Sequence, residues 1–282
     1  SLVGGETFVI VDNDGTEAIS GTFTNFAQGA TLSNFLNSGL NATISYTGGT
    51  NNNDVVITVA TVVPDYTITT TGNVLTITDV SGNGETLDIL QNSTNIRFNV
   101  TGRTYAINGG TTTAFTTPAD VALSGITSIV VNTANGNDII NVGAFTANLP
   151  SLTINGGTGN DAVNFNGDIT FAANANLDLD LQNDDVTPGV DAVTIATDAN
   201  VKLTGTGAAT VKVSKNVTIA RGGSLETVNG NLLVEANQQS TPTSGNFYGV
   251  YLELSSLLQS TSGSVTVKGK GGNDAGGAQE GV

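Results

Sequence analysis

The chain has 282 residues, a net charge of −16 and a hydrophobic fraction of 38%. Charged residues make up only 11% of it and aromatic residues 5%, so the composition fits neither a disordered chain nor an ordinary helical globule. The excess of Asp and Glu (24) over Lys and Arg (8) argues against nucleic acid and anionic membranes as partners, because both attract basic surfaces.

Several chemically distinctive residue types are missing from the sequence. Without Cys there is no disulfide framework, and without His or Cys the usual zinc and copper ligands are absent. Any bound metal is therefore expected to be a hard cation held by oxygen atoms. No stretch of about 18 apolar residues occurs, so no membrane insertion is expected. The chain starts and stops within its own pattern, and we expect it to be a piece of a longer protein.

Strand-like segments alternate with turns from the first residues onward. Thr, Val and Ile favour strands, whereas Asn, Gly and Asp favour turns, and Pro64 marks a break after the fourth strand-like segment. The sequence therefore predicts one β unit over residues 1–62, the end of a preceding β-helical module, and a longer β unit over residues 63–282.

Internal repetition is the strongest signal in the second half. The segment "SIVVNTANGNDIINVG" (128–143) matches "SLTINGGTGNDAVNFNG" (151–167), which places Asp138 and Asp161 23 residues apart. Gly230 and Gly263 begin a second matching pair of segments, 33 residues apart. Repeats of about 20–35 residues made of short strands and turns are typical of the coils of a β-helix. The predicted fold is all-β, a right-handed parallel β-helix (a solenoid) in two stacked parts.

This fold predicts ladders of like residues, because each coil lies about 4.8 Å from the next. Asn137 is expected beside Asn160 and Asn141 beside Asn164, with their amides hydrogen-bonded along the stack. Ile140 and Val163 are expected to stack in the core.

Two parts of the sequence resemble known families. Residues 8–60, through "VIVDNDGTEAISGTF" and "ISYTGGTNNNDVVITV", resemble the closing unit of the autotransporter-associated β-strand repeat of long bacterial surface proteins. Residues 65–282, through "ANQQSTPTSGNFYGVYL" and "SVTVKGKGGND", resemble repetitive adhesin-like segments of giant bacterial surface proteins.

The resemblance implies a non-catalytic structural stalk or adhesin segment of a very long exported protein, located outside the cell or on its surface. The partners that it implies are neighbouring repeats of the same chain and cell-surface glycans or other cells. The alternative is a carbohydrate-binding or polysaccharide-active β-helix. The families supply no catalytic residues to transfer.

A calcium site is one of two interpretations of "GGTGNDAVN" (156–164), which fits the nonapeptide pattern of calcium-binding repeats at every fixed position. In stacked coils, Asp138 and Asp161 would bind the ion together with the carbonyl oxygens of Gly136 and Gly157. The preferred interpretation is a sharp Gly-Asn-Asp turn without an ion, because only one full copy and one partial copy of the pattern are present.

Three weaker candidates remain. Asp184, Asp185 and Asp191 cluster in the segment 182–193, which reads either as a solvated corner or as a cation site. Half of the Lys and Arg residues lie within 20 residues of one another. Single basic residues on strands commonly protect exposed sheet edges from pairing with other chains. No enzyme is therefore predicted. These basic residues are Lys202, Lys212, Lys215 and Arg221.

The third is the only aromatic cluster, Phe247, Tyr248 and Tyr251. Strand alternation places Phe247 and Tyr251 on the face opposite Tyr248, so at least one ring is expected to point outward. Core packing is still preferred over sugar stacking for the cluster.

Overall fold

The computed structural model describes residues 2–182, 189–274 and 279–282. The protein is all-β with parallel sheets, and it divides into two compact units, Ser1–Val63 and Pro64–Val282. Among the described residues, no helix is long and apolar enough to cross a membrane.

The first unit is a small antiparallel sheet, sheet A. Its strands are β1 (Thr7–Val11), β2 (Thr31–Leu32), β3 (Ala42–Gly48) and β4 (Asp54–Val59), with a short 3-10 turn at Phe35–Asn37. They pair in the order β1-β4-β3-β2, every pairing being antiparallel. Residues 49–53 join β3 to β4, and so short a connection cannot make the crossover that parallel strands need. The β-helical stacking expected for this segment is therefore not seen within the unit.

The described residues of the second unit form 22 strands. They are β5 (Tyr66–Thr71), β6 (Val74–Asp79), β7 (Thr86–Asn92), β8 (Asn95–Val100), β9 (Thr104–Ile107), β10 (Thr113–Ala114), β11 (Ala119–Ala122), β12 (Ser128–Asn132), β13 (Ile139–Val142), β14 (Ser151–Asn155), β15 (Ala162–Phe165), β16 (Ile169–Ala173), β17 (Leu177–Leu181), β18 (Ala192–Ile195), β19 (Asn200–Thr204), β20 (Ala209–Val213), β21 (Asn216–Ile219), β22 (Ser224–Thr227), β23 (Leu232–Ala236), β24 (Val250–Leu252), β25 (Leu257–Ser260) and β26 (Val265–Gly269).

These strands form three sheets. Sheet B has the order β10-β9-β5-β6-β12-β14-β17-β20-β23-β26, sheet C the order β11-β8-β7-β13-β15-β18-β21-β24, and sheet D the order β16-β19-β22-β25. From β14 onward the chain visits sheets B, C and D in turn, adding one strand to each. Every described pairing between these later strands is parallel.

The beginning of the unit is built differently. Strands β5 and β6, and strands β7 and β8, pair as antiparallel hairpins through two-residue loops at 72–73 and 93–94. Gly72 and Ser93 have positive φ values of 59° and 57°, which so tight a reversal requires. Sequence reasoning expected parallel coils here and did not recognise these turns.

The predicted ladders are confirmed between β13 and β15. Ile140 lies opposite Val163 in the core, and Asn141 lies opposite Asn164. Asn164 Nδ2 donates to Asn141 Oδ1 at 3.1 Å, as expected. At the turn before these strands, the backbone N–H of Asn160 donates to Asn137 Oδ1 at 2.9 Å, where a bond between the two side-chain amides was expected. The 23-residue repeat therefore sets the strand register.

Candidate functional site

An acidic residue directly precedes each of four neighbouring strands of sheet C. Glu85 precedes β7, Asp138 precedes β13, Asp161 precedes β15 and Asp191 precedes β18. Because these strands pair in register, the four residues lie at the same corner of successive repeats. We call Asp138, Asp161 and Asp191 the carboxylate column.

Backbone N–H groups link the column from one repeat to the next. The N–H of Glu85 donates to Asp138 Oδ1 at 2.9 Å, and the N–H of Asp138 donates to Asp161 Oδ1 at 2.9 Å. The N–H of Asp161 donates to Asp191 Oδ1 at 2.6 Å. Ser214 ends this run, because its Oγ accepts the N–H of Asp191 and donates to Asp191 Oδ2. Each carboxylate therefore satisfies a backbone donor at a turn, where the sheet supplies no partner.

The column is removed from solvent. Asp138, Asp161 and Asp191 are only 2%, 1% and 0% exposed. Asp138 Oδ2 has no hydrogen-bond partner among the described residues. The pKa of Asp138 is raised to about 7, mainly by burial. The hydrogen bond from the Glu85 N–H lowers this pKa, whereas the charges of Glu85 and Asp79 raise it. A carboxyl group in this setting holds its proton far more readily than one in water.

The predicted calcium ligands come together only in part. Asp138 and Asp161 are adjacent, as predicted, but one oxygen of each accepts a backbone N–H. A Cβ atom on Gly157 would collide with the carbonyl oxygen of Ala134, and one on Gly159 with that of Gly136. The close stacking of the turns therefore explains by itself why glycine is needed at both positions.

The arrangement of the acidic side chains also bears on the predicted metal site. The parts of the chain that the structure describes hold no group of three or more His, Cys, Asp or Glu side chains arranged for a metal ion. Asp138 Oδ2 is a hard oxygen at this turn that accepts no hydrogen bond from the described residues. Of the other acidic candidates, Asp184 and Asp185 lie outside the described residues, and Asp191 belongs to the column.

A polar cavity of about 600 Å³ opens beside the first member of the column. Three chain segments form it: 84–86 at the start of β7, 101–103 between β8 and β9, and 137–139 at the start of β13. We call it the Arg103 cavity. Its lining residues are Gly84, Glu85, Thr86, Thr101, Gly102, Arg103, Asn137 and Ile139.

Glu85 anchors the wall of this cavity, with its side chain 5% exposed. Arg103 Nε lies 2.6 Å from Glu85 Oε1, and Ser81 Oγ donates to the same oxygen at 3.1 Å. Tyr66 OH donates to Glu85 Oε2 at 3.3 Å. Burial and the nearby charge of Asp79 raise the pKa of Glu85. Burial, followed by the charge of Glu85, also raises the pKa of Tyr66.

Sequence reasoning missed Glu85, Arg103 and Tyr66. A signal for Glu85 was present, because "NGE" (83–85) occupies the place of "GND" (136–138) just before the paired strand. Arg103 and Tyr66 carried no such signal. They reach Glu85 only through the hairpins β5–β6 and β7–β8.

The remaining candidates are dispersed or turned outward. Lys202 lies in sheet D, Lys212 in sheet B, and Lys215 and Arg221 flank a strand of sheet C, so the four do not form one site.

The aromatic cluster is divided between the core and the surface. Phe247 is buried as predicted, but Tyr251 is exposed and stacks on Tyr248 with ring centroids 4.8 Å apart. Strand β24 begins only at Val250, so strand alternation does not govern residues 247–249, and the expected core packing is wrong for Tyr251.

No known protein family, curated protein or solved structure matches this chain.

Proposed function

We propose that the second unit is a right-handed parallel β-helix and acts as a non-catalytic stalk or adhesin segment of a very long exported bacterial surface protein. The supporting observation is the constant register of sheet B. One interior position is occupied, strand after strand, by an apolar residue, and each pairs with the next: Leu75, Ile129, Leu152, Leu177, Ala209, Leu232 and Val265.

Such a ladder suits a structural role. Each added strand lengthens the stack by about 4.8 Å, and the hydrogen bonds between strands run along its length. Stability then depends on contacts between neighbouring repeats rather than on disulfides, which agrees with a sequence that has no Cys.

We propose no catalytic role. Glu85, the acid that lines the cavity, is held by Arg103, Ser81 and Tyr66. A general acid or base must instead be free to reach a substrate proton.

The calcium site at Asp138, Asp161, Gly136 and Gly157 stays a proposal beside the ion-free turn. The observation that favours it is Asp138 Oδ2, a buried oxygen that accepts no hydrogen bond from the described residues. A carboxylate in that position needs either a proton or a cation, and calcium would supply the cation.

Two measurements test the structural role. A crystal structure of residues 64–282 should show three sheets wound into a right-handed solenoid, and two facing antiparallel sheets would contradict the fold. Antibodies against the chain should label intact cells of the organism that encodes it. Labelling only after lysis would refute the exported role.

A further inference from the structure

We propose that the Arg103 cavity binds one neutral sugar residue of a glycan. The inference deepens the adhesin role and rests on it for its biological meaning, but the site is argued from its own geometry. A cavity of about 600 Å³ is within the usual range of small-molecule sites. Its three segments are held together by strand pairing and by the contacts of Glu85.

The polar groups suit a ligand that carries several hydroxyls. The Nε of Arg103 is used by Glu85, which leaves the Nη donors at the end of the guanidinium fork. Thr86 and Thr101 line the same space with hydroxyls that both donate and accept. Asn137 Oδ1 accepts the N–H of Asn160, so its Nδ2 is the part left to donate. The cavity therefore offers both donors and acceptors, which the hydroxyls of a sugar require.

One wall of the cavity is apolar. Ile139 is 42% exposed although it is a large hydrophobic residue in a strand, and its partner on β7 is Thr86. A pyranose ring has an apolar face of C–H groups and an edge of hydroxyls. Ile139 would contact the face while Arg103 and Asn137 bind the edge.

The local charge selects a neutral sugar over an anionic one. Arg103 contacts two carboxylates, with Nε 2.6 Å from Glu85 Oε1 and Nη1 3.9 Å from Asp65 Oδ1. Its positive charge is therefore compensated before any ligand arrives. A uronate or sulfate group would meet two neighbouring carboxylates in a chain of net charge −16.

The Arg103 side chain is held in place before a ligand arrives. Asp65 Oδ2 accepts both the N–H and the Oγ1 of Thr104, and Glu85 is fixed by Ser81 and Tyr66. Arg103 thus lies between two immobilised carboxylates. Little side-chain entropy remains to be lost on binding.

The first test is titration of the ¹⁵N-labelled chain with glucose, galactose, mannose and N-acetylglucosamine, with galacturonate for comparison. At least one neutral sugar should shift the amide signals of segments 84–86, 101–103 and 137–139 in a saturable manner at millimolar concentration. Galacturonate should bind about tenfold more weakly. The absence of saturable shifts with every neutral sugar, shifts confined to other segments, or equal binding of galacturonate would overturn the proposal.

Variants locate the site. Arg103→Lys keeps a positive charge opposite Glu85 but loses the planar fork, and should weaken binding about tenfold. Arg97→Lys is the matched control, because Arg97 pairs with Asp120 away from the cavity, and should bind like the wild type. Equal binding by Arg103→Lys at an unchanged melting temperature would refute the site.

Ile139→Ser gives a second test that does not disturb the ion pair, since Ile139 is partly exposed already. It should also weaken binding, and wild-type affinity in this variant would contradict the apolar wall. Cell-surface labelling remains an independent readout. A chain that is displayed on cells but binds no neutral sugar would refute this inference and leave the structural role standing.

Discussion

The first and the last described strands of the second unit are covered to different degrees. At the beginning, antiparallel hairpins surround buried aromatic rings, with Tyr105 and Phe115 4.5 Å apart and Tyr66 and Phe115 5.9 Å apart. At the far end, Val265 is 44% exposed, whereas Leu232, its partner on the preceding strand, is 1% exposed. A residue in the parallel stack is therefore buried by neighbours on both sides, while the hairpin end supplies its own cover.

This difference in burial predicts different contributions to stability within the described residues. A parallel strand with one neighbour leaves its core-facing side chains partly in water, so it gains little from the hydrophobic effect. The hairpin end buries its core-facing rings, with Phe98 0% and Tyr66 1% exposed. Truncation of a core-facing side chain to Ala should therefore cost more at the hairpin end than at the far end.

The largest effect is expected from truncating a buried ring at the hairpin end. Phe98→Ala removes a fully buried side chain of β8 and should lower the free energy of unfolding by about 3–5 kcal/mol. Leu257→Ala on β25, where Leu257 is 40% exposed, should cost less than about 1 kcal/mol. Urea unfolding of both variants measures the difference. Equal losses would show that the two ends are equally well packed.

A pH effect is expected where the two regions meet. Asp138 belongs to the parallel stack but faces Glu85, Asp79 and Tyr66 of the hairpin end, as well as Asp161 of the next repeat. Its pKa of about 7 in the folded state exceeds the ordinary value of 3.8, so the folded state binds more protons between these values. The contribution of this group to stability is full below about pH 4 and is lost as the pH rises to about 7.

The size of the pH effect follows from the shift. About three pKa units correspond to about 4 kcal/mol as an upper value. Unfolding measured from pH 4 to pH 8 in the presence of a chelator should show this loss, and Asp138→Asn should reduce it. Asn keeps an oxygen that accepts the Glu85 N–H but has no charge to bury. A slope that is the same in both chains would assign the pH dependence to other groups.

Much of the parallel stack could be predicted from the sequence, because its turns repeat. The spacing of Asp138 and Asp161 gave the register of β13 and β15, and the ladder of Asn141 and Asn164 followed from it. The hairpin end could not be predicted in this way. Its reversals depend on single positive-φ residues such as Ser93, which are not marked by repetition.

The candidate site was predicted in part for the same reason. The corner position of Asp138 and Asp161 could be read from the repeat, whereas the pairing of Glu85 with Arg103 depends on how three distant segments meet. The outward position of Tyr251 depends on the irregular residues before β24. Neither the pairing of Glu85 with Arg103 nor the outward position of Tyr251 is marked by a repeat in the sequence.

Adding calcium tests whether a cation compensates the buried carboxylates of the parallel stack, as Arg103 compensates Glu85 at the hairpin end. With a dissociation constant of about 1 mM, about 10 mM calcium would stabilise the fold by about 1.4 kcal/mol through mass action. This corresponds to a rise of about 3–5 °C in melting temperature for a unit of this size. The measurement is thermal melting with chelator and then with calcium, for the wild type and for Asp161→Ala. A wild-type melting temperature that calcium does not change would leave the turn without an ion.

The smallest expected effect compares one surface ion pair from each end. Arg97 and Asp120 at the hairpin end meet through two contacts, Nε to Oδ1 at 2.8 Å and Nη2 to Oδ2 at 2.7 Å. Lys268 and Glu235 at the far end share one contact of 2.7 Å, and the lysine side chain is 54% exposed. Fork geometry limits the loss of side-chain entropy, whereas a single exposed contact is screened by water and salt.

Arg97→Ala should therefore lower the melting temperature by about 1–2 °C at low ionic strength, and Lys268→Ala by less. Added salt should remove most of the difference, because both pairs are solvent-accessible. A larger loss from Lys268→Ala would mean that this pair holds β26 on β23 more strongly than its single contact indicates. In that case an ion pair would stabilise the far end, whereas side-chain packing stabilises the hairpin end.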